Sequence, residues 1–195
     1  MWSKNVSVYP WVGERYSNPV NFKSKTLFLG ESNYTEQEKF GSQLVINCVI
    51  DDISPDSAER DTTGFCKFST KIRRTVFGPD ETVGPYGFWQ DVAFYNFVQF
   101  LVGEEARKRP ANEMWRDSVP AFEEIVSSLQ PDKMIVLGKA NWRNLINHVD
   151  SEIIDDFSAK IKLNSRVINT GYINHPSSSL SYNKWTPIVQ EFLQR

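Results

Sequence analysis

Four short apolar runs punctuate the chain, and helical patterns fill the stretches between them. Thr26-Leu27-Phe28-Leu29 ends at Gly30, and Lys133-Met134-Ile135-Val136-Leu137 ends at Gly138. Asp91 to Val98 is aromatic and β-branched, and Arg166 to Ile173 is a further β-branched run. Short apolar runs closed by glycine suit buried parallel strands followed by tight turns. A helical pattern opens at Thr35, which has capping-box spacing with Glu38, and runs through Phe40, Leu44, Val45, Cys48 and Val49 to near Ile53. Phe65 to Phe77 reads as a second helix. Ser118 to Leu129 repeats apolar residues at helical period, at Val119, Phe122, Ile125, Val126 and Leu129. Ala140 to Val149 is a helix with Trp142, Leu145 and Ile146 on one face, and Asn183 to Arg195 is an amphipathic terminal helix. Residues 1–25 read as an irregular arm, Pro55 to Thr63 and Gly78 to Gly87 as loops, and Asp150 to Asn164 as a further helix. Strands alternating with helices predict a three-layer α/β/α sandwich. Its sheet is expected to be four-stranded and mostly parallel, within one domain spanning 1–195.

Composition narrows the class. A hydrophobic content of 40% over 195 residues fits a folded chain with a sizeable core. A net charge of −2 does not advertise nucleic-acid binding, yet it permits a local basic strip such as Lys67, Lys71, Arg73 and Arg74. Cys48 and Cys66 are too few for a disulfide framework, and no Cys or His spacing suggests zinc or an iron–sulfur cluster. No cofactor is called for. The segment Met1-Trp2-Ser3-Lys4-Asn5 lacks an apolar signal core, and no apolar run is long enough to span a bilayer. The expectation is a cytoplasmic monomer without a membrane partner.

The polar groups gather at strand ends. Gly30-Glu31-Ser32-Asn33-Tyr34 follows the first strand, Asn96 ends the second, and Asn174-His175-Pro176-Ser177-Ser178-Ser179-Leu180-Ser181 follows the fourth. Open α/β sheets bind ligands at the carboxyl ends of their strands. Side by side, these ends would bring a carboxylate, an amide and an imidazole to one cleft, a set suited to acid–base or electrostatic catalysis. The plainer reading of the last stretch is a Ser-rich turn with a capping hydroxyl. His148, the other histidine, sits in a helical stretch with Leu145, Ile146 and Val149, where a surface or packing role is expected.

With its motifs in this order, the chain resembles the uracil-DNA glycosylase superfamily over about residues 26–192. Gly30-Glu31-Ser32-Asn33-Tyr34 is similar to the family's Gly-Gln-Asp-Pro-Tyr or Gly-Glu-Ala-Pro-Gly motif. His175-Pro176-Ser177-Ser178-Ser179-Leu180-Ser181 resembles His-Pro-Ser-Pro-Leu-Ser with one extra residue. Asn96 stands where the family reads the base edge, and Leu137-Gly138-Lys139-Ala140-Asn141-Trp142 is similar to the segment after its third strand. The resemblance implies hydrolysis of the bond between a damaged or modified base and its sugar. DNA is the implied partner, single- or double-stranded, with the base flipped out. His175 would stabilise the departing base anion, in the neutral form that a nearby helix start favours. Ser32 replaces the catalytic Asp of the best-known branch, so Glu31 or Asn33 would take over that role. Phe68, or else Tyr34, would stack on the base, and Ser32 would line the pocket. Ser177, Ser178, Ser179, Lys71, Arg73 and Arg74 would contact phosphates. The departures also admit an inactive member of the fold that binds DNA, a nucleotide or a protein. A hydrolase acting on another small substrate at the same cleft is a third reading.

Overall fold

The computed structural model describes residues 2–54, 64–104, 108–164, 166–178 and 180–195. The arm expected to be irregular contributes a two-residue strand, β1 (Trp11–Val12), before β2 (Thr26–Gly30) and β3 (Asn33–Tyr34). Helices α1 (Leu44–Ile53), α2 (Gly64–Phe77) and α3 (Gly84–Asp91) precede β4 (Val92–Asn96) and β5 (Leu101–Gly103). Next come α4 (Asn112–Asp117), α5 (Val119–Leu129), β6 (Lys133–Leu137) and α6 (Lys139–His148). The chain closes with β7 (Ser151–Ile153), β8 (Ser158–Leu163), β9 (Arg166–Ile173) and α7 (Tyr182–Gln194).

The four anticipated strands form the parallel centre of the sheet, in the order β4-β2-β6-β9. The sheet has seven strands rather than four, because β1 adds antiparallel to β4, and β8 and β7 continue antiparallel beyond β9. Side-chain alternation divides the core between the two faces. Leu27, Leu29, Tyr95, Met134 and Val136 pack with Phe122 and Ile125 of α5 and with Trp142 and Leu145 of α6. Phe28, Phe94, Ile135 and Leu137 pack with Val49 of α1, Ile72 of α2, Trp89 of α3 and Val189 of α7. Helices therefore cover both faces. Each such buried side chain contributes about 1.5–3 kcal/mol of transfer free energy. Among the described residues, no helix is long and apolar enough to cross a membrane.

Three elements differ from the sequence expectation. Residues 33–35 are held extended, since β3 pairs with β5 and the Thr35 N–H donates to Gly103 O, so no capping box forms. A short 3-10 turn (Gln37–Lys39) intervenes, and α1 begins only at Leu44. The Gly78–Gly87 loop gives way to α3, whose Pro85 suits a first helical turn and whose Phe88 and Trp89 are driven into the core. Residues 150–164 make strands, not a helix. In β8 the burial alternates along Ala159, Lys160, Ile161, Lys162 and Leu163, a period of two. Asn164, directly after β8, takes a left-handed backbone with φ of 53°.

Buried charge is also placed by the tertiary fold. Arg73, expected to face phosphates, is buried between Glu81 at 3.0 Å and Asp52 at 3.8 Å. Asp52 also accepts from Trp89 Nε1 at 2.7 Å. Lys133 donates to Phe192 O and Leu193 O and so satisfies the last carbonyls of α7.

Candidate functional site

The parallel register aligns the carboxyl ends of the central strands. Gly30 pairs with Asn96 and Leu137 pairs with Ile173, so the motifs after β2, β4, β6 and β9 emerge on one edge of the sheet. Only β6 separates β2 from β9, which places the two motifs about 10 Å apart at the usual strand spacing. Two glycines form the floor between them. A Cβ on Gly30 would meet Asn96 Oδ1 at 1.9 Å, so the Asn96 amide lies directly over that backbone. A Cβ on Gly138, whose φ is 109°, would meet the His175 Cβ and ring Cδ2 at 3.4 Å. The imidazole thus leans across the end of β6.

His175 is half-buried and held by its own turn. The Ser177 N–H donates to Nδ1 at 3.1 Å, while the Ser178 N–H and Oγ donate to the His175 carbonyl at 2.8 and 2.7 Å. A neutral ring with an occupied Nδ1 acceptor carries its proton on Nε2. Burial, then the positive charges of Arg109 and Lys71, hold the imidazole below its ordinary value. This neutrality has a different cause from the one expected, since α7 starts only at Tyr182. Its flanking Ser181 makes no side-chain capping bond. The Phe68 ring, on α2, lies 5.7 Å from the imidazole and 6.1 Å from Phe94, so it joins the core to the site.

On the β2 side the side chains are engaged with one another. Asn96 Nδ2 donates to Asn33 Oδ1 at 2.8 Å, and Asn33 Nδ2 donates to Val98 O at 3.1 Å. Ser32 Oγ donates to the Tyr34 hydroxyl at 2.9 Å, which donates to Lys108 O at 2.6 Å. Glu31, only 7% exposed, accepts from Arg109 Nη1 through both carboxylate oxygens, at 2.9 and 3.0 Å. These two contacts pin residues 108 and 109 to the first motif.

The structure therefore brings together His175, Phe68, Asn96, Asn33, Glu31, Ser32 and Tyr34 along one edge. Ser177 and Ser178 are exposed at its rim, while Ser179 lies outside the described residues. His148 sits at the opposite end of α6, where its Nδ1 meets Asn144 O at 2.8 Å. Two participants escaped the sequence reading. Arg109 belongs to the basic run Arg107-Lys108-Arg109, and nothing local in the sequence links it to Glu31, 78 positions away. Asn141, fully buried in the first turn of α6, donates to Leu29 O at 3.0 Å and leaves its Oδ1 without a partner. The signal for Asn141 was its place in the Leu137–Trp142 segment.

Chemically, the edge offers one neutral imidazole donor, a carboxylate neutralised by an arginine, and an amide pair. Such a set can polarise or stabilise an oxygen-rich or anionic group. Among the described residues, no cluster of three His, Cys, Asp or Glu side chains is placed to hold a metal ion. No protein-family model and no curated protein matches this chain.

Proposed function

We propose that the chain is a divergent member of the uracil-DNA glycosylase superfamily, a single α/β/α domain with DNA as its partner. On this reading it hydrolyses the N-glycosidic bond of a damaged or modified base, such as a phage-type modified base. The observation that carries it is His175. Its Nδ1 is occupied by the Ser177 N–H, its charge is suppressed, and it leans over Gly138 between the two motifs. As the bond stretches, the sugar takes on cationic character and the base becomes an anion. The Nε2–H of His175 donates to that anion, a contribution worth about 10²–10³ in rate for one such donor. Glu31 stands on the opposite motif, where a carboxylate favours the sugar cation and orients water; Asn33 is the other candidate for this role. Water adds to the sugar carbon, and its proton ends on the departing base. Asn96 reads the base edge, with Phe68 or Tyr34 as stacking surface and Ser32, Ser177, Ser178 and Ser179 completing the contacts.

One observation favours the second reading, a non-cutting member that binds DNA, a nucleotide or a protein partner. Glu31 is tied to Arg109 and Asn33 to Asn96 and Val98, which leaves no unengaged water-handling group on the first motif. The deciding experiment incubates the purified protein with DNA carrying a broad panel of deaminated, damaged and phage-type bases. Released bases are identified by mass spectrometry. Base release that disappears in His175→Ala supports the glycosylase. DNA binding without release of any base selects the binder.

A further inference from the structure

Helix α2 carries four cations and no acidic residue in a chain whose net charge is −2. Arg73 turns inward to Asp52 and Glu81. The other three, Lys67, Lys71 and Arg74, stand at i, i+4 and i+7 and so share one face. That face is opposite the buried one formed by Cys66, Ser69, Ile72, Arg73 and Val76. Lys67 and Arg74 are exposed and Lys71 is half-buried. Among the described residues, none of the three side-chain heads is paired with a carboxylate. The ridge leads into the site, because Phe68 packs its ring against His175 and Lys71 follows it by three residues on the same helix.

From this arrangement we infer that Lys67, Lys71 and Arg74 form the track for the sugar–phosphate backbone of one DNA strand, with Lys71 nearest the base in the cleft. Seven residues of helix span about 10 Å. A strand laid along that length passes the three cations in turn, so that each can meet one of its phosphates. A solvated cationic face whose heads pair with no carboxylate among the described residues is complementary to a polyanion and steers it by long-range attraction. The inference rests on the reading of this cleft as one that receives a base from DNA, and adds where the strand runs.

The test measures binding of a fluorescently labelled single-stranded DNA oligonucleotide by anisotropy across a salt series. Wild type is compared with Lys67→Gln/Arg74→Gln, and with Lys4→Gln/Lys160→Gln, which removes equal charge elsewhere on the surface. Each lost phosphate contact lowers the slope of log K against log salt by about 0.7 for single strands. The ridge variant is expected to lose about 1.4 from that slope and the control variant almost nothing. Adding Lys71→Gln should remove a further 0.7 or so. An unchanged slope in the ridge variant, or an equal loss in the control, overturns the track. The result is separable from catalysis, because base release can persist while the slope stays unchanged. Conversely, the slope can fall in a protein that releases no base.

Discussion

The backbone N–H of Ser177 donates to Nδ1 of His175 at 3.1 Å, which makes Nε2 the only ring position able to donate. The turn that follows β9 thus selects a tautomer as well as a location. Donor and acceptor are two positions apart in the chain, so the device is local to the turn.

The charge state of that ring gives the first prediction. Burial, then Arg109 and Lys71, lower its pKa, so it is neutral at pH 7 and charges only below about 6.5. The unfolded chain therefore takes up this proton first as the pH falls. The contribution of His175 to stability is complete above about 6.5 and declines below it, until the folded ring also titrates. NMR titration of the ring should give a midpoint under 6.5 that rises in Arg109→Ala. A wild-type midpoint at or above 6.5 would refute the assignment.

Asn96 is not a clean probe of base reading, because it also satisfies Asn33. In Asn96→Ala, the Oδ1 of Asn33, a residue only 3% exposed, loses its donor. An unsatisfied buried acceptor costs about 1–3 kcal/mol. Urea unfolding should show a loss of that order in addition to any loss of base release. Unaltered stability would mean that the amide pair is dispensable to the fold.

Gly30→Ala places a methyl group where Asn96 Oδ1 now lies, since the two would be 1.9 Å apart. The Asn96 side chain must swing away from Asn33, and overpacking of this kind costs about 1–3 kcal/mol. Thermal unfolding should register the cost. A Gly30→Ala protein as stable as wild type would show that the floor has room.

Neighbouring arginines on α2 should behave oppositely. Arg73→Gln leaves Asp52 and Glu81 buried without their cation, a change expected to cost about 3–5 kcal/mol. Arg74→Gln removes an exposed head and should stay within about 0.5 kcal/mol of wild type. Equal stability of the two variants in urea would contradict the buried network.

The sequence by itself determined the parallel centre of the sheet and the helices beside it. In β2, β4 and β6 the run is almost wholly apolar because both faces are buried, β9 is marked by its β-branched residues, and α5, α6 and α7 repeat at helical period. It also marked which strand ends carry polar groups, since a turn must follow each of them. Only the tertiary structure decided what those groups do to one another. Period-two strands such as β8 were legible in principle, but their lysines made the stretch look merely polar. The Arg109–Glu31 pair, the Asn33–Asn96 amides, Phe68 against His175 and the burial of Arg73 join residues far apart in the chain. Such pairings depend on strand register and helix rotation, which local propensity does not encode. His175 and the first motif were each visible along the chain. Their separation of about 10 Å, with glycine between, exists only because β6 lies between β2 and β9.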